Sequence, residues 1–336
     1  MIDVLNAPSE APPRVTVAGI ADAPVAVETP MSRAEKVITA VIVGLPVVAL
    51  VFGIVWFWGE GVHLRDVVLG VVLFLLAGHG VTVGFHRLLA HKSFAASRPL
   101  KLLLVVAGSM AFEGGPIGWV ADHRRHHVFS DQAQDPHSPH RFGPSFAGQL
   151  RGLLHAHIGW LFKHTHTSWN RHAKDLMADR DLVVMNALFP LWCAVSLALP
   201  FGLGWLIGGG VAAALSALLW AGAVRILLLH HVTWSINSLC HTFGRRPFRT
   251  SDRSTNLAAL AVVSMGESWH NGHHAFPRSA RHGVLRGQWD TSAWLIGRFE
   301  RAGWARDVHR PTPEAISKRL DEGGAPLVEP ADCAER

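Results

Sequence analysis

Residues 67–91 read Val67-Val-Leu-Gly-Val-Val-Leu-Phe-Leu-Leu-Ala-Gly-His-Gly-Val-Thr-Val-Gly-Phe-His-Arg-Leu-Leu-Ala-His91. The stretch Val67–Phe85 holds no Asp, Glu, Lys or Arg and approaches the roughly 20 residues that cross a bilayer. It runs straight into His86 and His91. A membrane span that delivers imidazoles at its own end sets the frame for the rest of the chain.

Working outward, three more apolar spans cover residues 37–58, 182–205 and 211–231. Short links join the spans in pairs, which predicts two antiparallel hairpins. The run 100–120 is broken by Glu113, Gly114, Gly115 and Pro116 and reads as a buried or interfacial helix. At 49% hydrophobic and 17% charged, the 336-residue chain is too apolar for an ordinary soluble enzyme. Lys and Arg number 3 before the first span, 12 in residues 86–181 and 14 after residue 231, leaving only Arg65 and Arg225 of 31. The positive-inside rule therefore predicts both termini and the middle segment on the cytoplasmic side, and the expected location is a multi-pass position in a plasma (inner) membrane or its equivalent. The same bias accounts for the pI of 9.8 without nucleic acid. Residues 1–32 and 311–336 read as tails, the first disordered, around a membrane domain at 33–310. Arg225, inside the fourth span, is an ionised residue that needs partners there.

Behind the spans come His123-Arg-Arg-His126-His127, Asn237-Ser-Leu-Cys-His241 and His270-Asn-Gly-His273-His274. With 22 His in the chain, chance supplies roughly 0.1 copies of His-x-x-His-His, and there are two. On a helix, positions i, i+3 and i+4 share a face, so each cluster is expected to aim its imidazoles at one place. His86 and His91 lie about 140° apart on an ideal helix and are expected to serve different ions or to mark a fraying end. Nine neutral imidazoles suit two metal ions better than one. All four groups fall on one side of a four-span layout. The predicted fold is an all-α membrane protein: four transmembrane helices carrying a cytoplasmic helical cap with a histidine-ligated metal pair. The three cysteines, Cys193, Cys240 and Cys333, are dispersed and form no Cys-x-x-Cys pair.

The chain resembles the integral-membrane fatty acyl-CoA desaturases of the stearoyl-CoA desaturase type. The resemblance rests on Gly84-Phe-His-Arg-Leu-Leu-Ala-His91, Trp119-Val-Ala-Asp-His-Arg-Arg-His-His127 with Asp135-Pro-His137, and His157-Ile-Gly-Trp160. It continues through Thr233-Trp-Ser-Ile-Asn-Ser-Leu-Cys-His241 and Gly266-Glu-Ser-Trp-His-Asn-Gly-His-His-Ala-Phe-Pro277, and covers roughly residues 35–310. It implies two iron ions (Fe2+) on His86, His91, His123, His126, His127, His241, His270, His273 and His274, with Asn237 bound through water. It also implies O2-dependent insertion of a cis double bond, at carbon 9, into a long acyl-CoA. The alternatives are a di-iron hydroxylase or ketolase, or a desaturase of lipid-linked chains. Zinc cannot change oxidation state, whereas imidazole-rich sites also suit iron.

Acids that orient the imidazoles are expected at Asp122, Asp135 and Glu267 by sequence proximity. The resemblance places the bend of an acyl tunnel near Trp119, Thr233 and Trp234. A polyanionic CoA head group calls for cations, for which Arg124, Arg125 and Lys163 are the candidates. Arg125 stands where the family has a small residue. The chain shows no Gly-x-Gly-x-x-Gly fingerprint, fused haem domain or iron–sulfur cysteine set, so no haem, bound nicotinamide or flavin is expected. Electrons are expected from a separate reductase, ferredoxin or cytochrome b5-like carrier. A metal transporter would place its ligands near the mid-plane of the spans instead.

Overall fold

The computed structural model describes residues 29–56, 62–163 and 165–320, the side chain of Lys163 excepted. Four helices are long and apolar enough to cross a membrane: Arg33–Val55, Leu64–Ala90, Phe189–Gly208 and Val211–His241. Val48, Val51, Val72 and Leu206 are among many apolar side chains left exposed on them, as lipid-facing surfaces require. The chain is a membrane protein, mainly helical, with a helical cap that carries the histidines.

The third span begins at Phe189, seven residues later than hydropathy suggests. Residues Arg180–Ala187 form a separate helix whose N-cap, Asp179, accepts from the amides of Asp181 and Leu182. Leu188 leaves the helical region and Pro190 then opens the new helix. Residues 100–120 are likewise two elements, Arg98–Ser109 and Pro116–Phe129. Between them Phe112 and Gly114 take positive φ, and Pro116 starts the second helix.

The second span does not fray into its histidines. From Gly80 to Ala90 it is a π-helix, and the amide of His91 bonds the carbonyl of His86 at 3.1 Å, an i→i+5 bond. At about 4.4 residues per turn, positions five apart return to nearly the same face. Gly80 allows this segment to touch the helix Arg98–Ser109, since a Cβ there would stand 2.0 Å from the amide nitrogen of Gly108.

The cap closes over the ends of the second and fourth spans. Val83, Phe85, Leu104, Val120 and Ile296 share one buried cluster, and Leu73, Ala77, Leu229 and Met265 another. A two-residue antiparallel pairing, Ala95↔Arg306 and Ala96↔Ala305, ties the first histidine segment to the C-terminal part. The helix Pro313–Arg319 buries Ile316 against Phe248, Ala275 and Val284, so the packed body continues to Leu320, beyond the boundary expected at 310. At the other end, Thr29 accepts from the amide of His166 and Pro30 bridges Thr165. Residues 1–28 and 321–336, expected as tails, lie outside the described residues.

Candidate metal centre

The nine histidines converge as five and four. Nitrogens of His86, His91, His123, His127 and His273 all lie within 4.8 Å of one another, and so do those of His126, His241, His270 and His274. In the first group Nε2 of His91 is 2.7 Å from that of His123, and Nε2 of His273 is 3.1 Å from His86 and 2.9 Å from His127. In the second, Nε2 of His270 is 3.1 Å from both His241 and His274, and His126 is 3.4 Å from His274.

Two expectations change. His86 and His91 belong to one group, because the π-helix turns both the same way. Each His-x-x-His-His divides between the two groups instead of serving one. His123 and His127 face the first while His126 faces the second; His270 and His274 face the second while His273 faces the first. Consecutive residues such as His126 and His127 sit about 100° apart on a helix, enough to address two points on either side of it.

The outer nitrogens show which way the rings are protonated. Nδ1–H of His126 donates to Asp135 (3.0 Å), that of His241 to Asp131 (3.0 Å), that of His274 to Asp252 (2.9 Å) and that of His86 to Glu267. With the proton on Nδ1, each Nε2 presents a lone pair. His126 and His274 then present lone pairs to each other across 3.4 Å, a spacing that a shared cation would satisfy. The residues therefore fit a metal site. Burial holds His91, His123, His127, His270 and His273 far below the usual imidazole range, with neighbouring imidazoles adding to the effect, so they stay neutral as a metal requires. Burial raises Asp131, but the hydrogen bond and charge of His241, the amide of Arg253 and the charge of His140 together outweigh it and leave the carboxyl at about 2.

Of the acids expected around the rings, Asp135 and Glu267 hold imidazoles, while Asp122 lines a cavity beside His123. Asp131 and Asp252 were not foreseen: each meets a histidine far away in sequence or across a loop. Also unforeseen is His282, fully buried, whose ring lies 4.3 Å from that of His273 and 5.1 Å from that of His86.

Two apolar cavities meet at the metal groups and share Trp119, His123, Thr233 and Asn237. One runs past His86 to Val81, Gly78, Leu229 and Met265; the other passes Trp234 and Trp160 towards Ile42 and Phe189. At the junction Glu113 accepts from Thr233 Oγ1 (2.8 Å) and Trp119 Nε1 (3.1 Å), and the Trp119 indole stacks on His123 at 18° and 5.2 Å. Burial raises the Glu113 carboxyl to about 7, against the two hydrogen bonds that lower it. In the unfolded chain the group ionises near 4.5, so the native state binds the extra proton between those values. Its contribution to stability is present at acid pH and is lost as pH rises through about 7. Glu113→Gln should remove that slope. In melting curves from pH 5 to 8 it should match the wild type at pH 5 and exceed it at pH 8; parallel curves would disprove this.

The arginines expected at the head group are committed elsewhere. Arg124 donates to the carbonyls of Leu89 (2.7 Å), Ala90 (2.9 Å) and His172 (2.9 Å) and to Asp175 (2.7 Å), tying down the end of the π-helix. Arg125 is buried and donates to the carbonyl of Gln134 at 3.0 Å. The Lys163 side chain lies outside the described residues. Arg225 finds its partners inside the protein, at Met110 O (3.1 Å) and Ser196 Oγ (2.7 Å).

A family model for fatty acid desaturases matches residues 66–289, which hold all nine histidines. The chain is similar to a hex-5-enoyl-[acyl-carrier protein] acetylenase of Moorena producens, 36% identical over 82% of this chain and 86% of that one. It is similar as well to an sn-1 stearoyl-lipid 9-desaturase of Anabaena variabilis, 37% identical over 71% and 83%. A third relative is an acyl-CoA C20 Delta5-desaturase of Anemone leveillei, 37% identical over 71% and 72%. With its metal-binding geometry and these relatives together, the chain belongs to the fatty acid desaturase family.

Proposed function

We propose that the protein inserts a cis double bond into a saturated long acyl chain, using O2, two iron ions and electrons from a separate carrier. The observation that carries this reading is the convergence of nine histidines in two groups, of which His86, His123, His126 and His270 stand on the wall of an apolar cavity. His86, His91, His123, His127 and His273 would hold one ion. His126, His241, His270 and His274 would hold the other, with Asn237 through water. Asp131, Asp135, Asp252 and Glu267 fix ring orientation and raise ligand basicity. When bound, the irons supply the O2 chemistry that breaks unactivated C–H bonds, which no acid–base pair can do. The balance is R–CH2–CH2–R′ + O2 + 2 electrons + 2 H+ → R–CH=CH–R′ + 2 H2O.

The chain's own residues provide position and dryness. Thr233 and Trp119, joined by Glu113, form the bend that presents one C–C bond to His123 and its neighbours. Apolar walls exclude water from the reacting carbons. Charge asymmetry of the loops supports an active site on the cytoplasmic face of the membrane. Among head groups, the loss of Arg124 and Arg125 as contacts weakens the case for acyl-CoA. The named relatives act on lipid, CoA and acyl-carrier-protein forms.

The carbon-9 position is carried by the resemblance to the stearoyl-type desaturases; beyond the metals the chain would run along the inner cavity from His86 towards Gly78 and Met265. Met265 forms the floor: a Cβ on Gly78 would lie 2.2 Å from its Cε. Met265→Ala should therefore shift products towards longer chains. Gly78→Ala, which drives the flexible Met265 side chain into the cavity, should shift them towards shorter ones. Identical chain-length profiles in both variants would remove Met265 from that role.

Fatty-acid profiling by gas chromatography–mass spectrometry tests the function. The protein is assayed with a reductase and ferredoxin, and the saturated chain is supplied as CoA thioester, carrier-protein thioester or phospholipid. A monounsaturated acid with the bond at carbon 9 is expected. A hydroxy or oxo acid in its place would instead assign the scaffold to oxygen insertion.

A further inference from the structure

His282 lies outside the five- and four-histidine groups and the acyl cavities, yet it is 0% exposed, packs against His273 and His86, and brings a ring nitrogen within 4.8 Å of the ligand atoms of His86 and Glu267. Its ring packs on that of His273. Its chain neighbours Ala280, Arg281 and Val284, though not His282 itself, line an open groove of about 990 Å³ with Trp289, Trp294 and Arg301. His282 is joined to the groove on both sides: Arg281 precedes it in the chain, and its amide donates to Asp290, another lining residue, at 2.7 Å. Here the surface comes within one side chain of a proposed metal ligand.

The character of that surface is specific. Residues 278–319 carry nine Lys and Arg against four Asp and Glu. Arg278, Arg281, Arg286, Arg298, Arg301 and Arg306 are exposed. Trp289 and Trp294 are 71% and 57% exposed, and Arg298 stacks over Trp294 at 4.9 Å. Exposed tryptophan with arginine around a concavity is the composition of a protein-binding surface. We infer that this groove on the C-terminal cap is the docking surface for an acidic one-electron carrier protein, which delivers reducing equivalents to the metal pair past His282. The inference rests on the reading above that two electrons per turnover come from outside the chain. Positive charge on the cap steers an acidic partner and makes the encounter dependent on ionic strength. A bilayer surface is the competing occupant, because Thr291 at the groove bonds His79 of the second span at 3.2 Å. A concave shape backed by the ligand-contacting His282 favours the carrier.

The test uses metal-loaded full-length protein in nanodiscs of phosphatidylcholine and a plant-type [2Fe–2S] ferredoxin as the acidic probe. Binding is measured without acyl substrate, and turnover with either ferredoxin or dithionite as reductant. Arg281→Glu and Arg301→Glu should each weaken ferredoxin binding about tenfold and raise its half-saturation equally, with both effects lost at high salt. Dithionite-driven turnover and half-saturation by the acyl substrate should stay at wild-type values. Wild-type protein that does not bind ferredoxin, or variants that bind it unchanged, would overturn the proposal. So would variants that lose affinity only for anionic vesicles, which would make the patch a lipid surface. Charge-dependent binding with no unsaturated product would leave the docking surface standing and refute the desaturase reading.

Discussion

His273→Ala is expected to abolish desaturation and lower bound metal from two ions per chain towards one. His273 is completely buried at the centre of the five-histidine group, with Nε2 within 3.1 Å of two other ring nitrogens. Removing it takes a direct ligand and leaves a pocket of uncharged imidazoles. Loss of a residue that merely orients a ligand costs about 10–100-fold in metal affinity or activity, and loss of the ligand itself should exceed that. His270 and His274, on the same short helix, face the other group, so one ion should remain. His157→Ala serves as the control. That ring bonds His231 (2.9 Å) and Ser238 (3.0 Å) away from both groups and should leave metal content intact. Metal analysis and product profiling on the same preparation decide the matter, and two ions with undiminished product in His273→Ala would falsify the ligand assignment.

Hydropathy and spacing make the frame legible because they depend on local sequence. The four spans stand out, and the histidines cluster at helical intervals next to them. What was hidden depends on backbone detail or on distant pairing. An ideal α-helix separates His86 from His91; only the π-helical stretch, built on the close approach at Gly80, brings them together. Asp135 and Glu267 could be found because they sit beside a cluster. Asp131 could not, since it holds His241, 110 residues away, and Asp252 reaches His274 across a loop. Arg124 and Arg125 are expected at the head group because they lie inside a histidine cluster, but the carbonyls they bond become neighbours only in the folded chain. The start of the third span was misplaced because Leu182 is as apolar as a lipid-facing residue while packing in the cap core.

Arg87→Met should be the most destabilising single change in the cap. Arg87 is 0% exposed and donates to Glu267 (3.0 Å), Asp290 (2.9 Å) and the carbonyl of Ala280 (2.8 Å). Through these it links three segments that must meet for the five-histidine group to form. Glu267 holds His86; Asp290 caps the helix Thr291–Arg301 through the amide of Ala293 and also receives the amide of His282. Methionine fills most of the volume but leaves two carboxylates buried without their cation. Breaking a buried pair in this way costs about 3–5 kcal/mol, far more than the pair's net contribution, because the remaining charge stays desolvated. Arg87→Lys should recover only part of the loss, since one ammonium cannot span both acids as the planar guanidinium does. The cause can be separated from simple packing by adding Asp290→Asn to Arg87→Met. Relief of buried charge predicts that the double variant melts above the single one, even though it has lost another hydrogen-bonding group. If the second substitution lowers the melting temperature further, packing and helix capping dominate here and the charge argument fails.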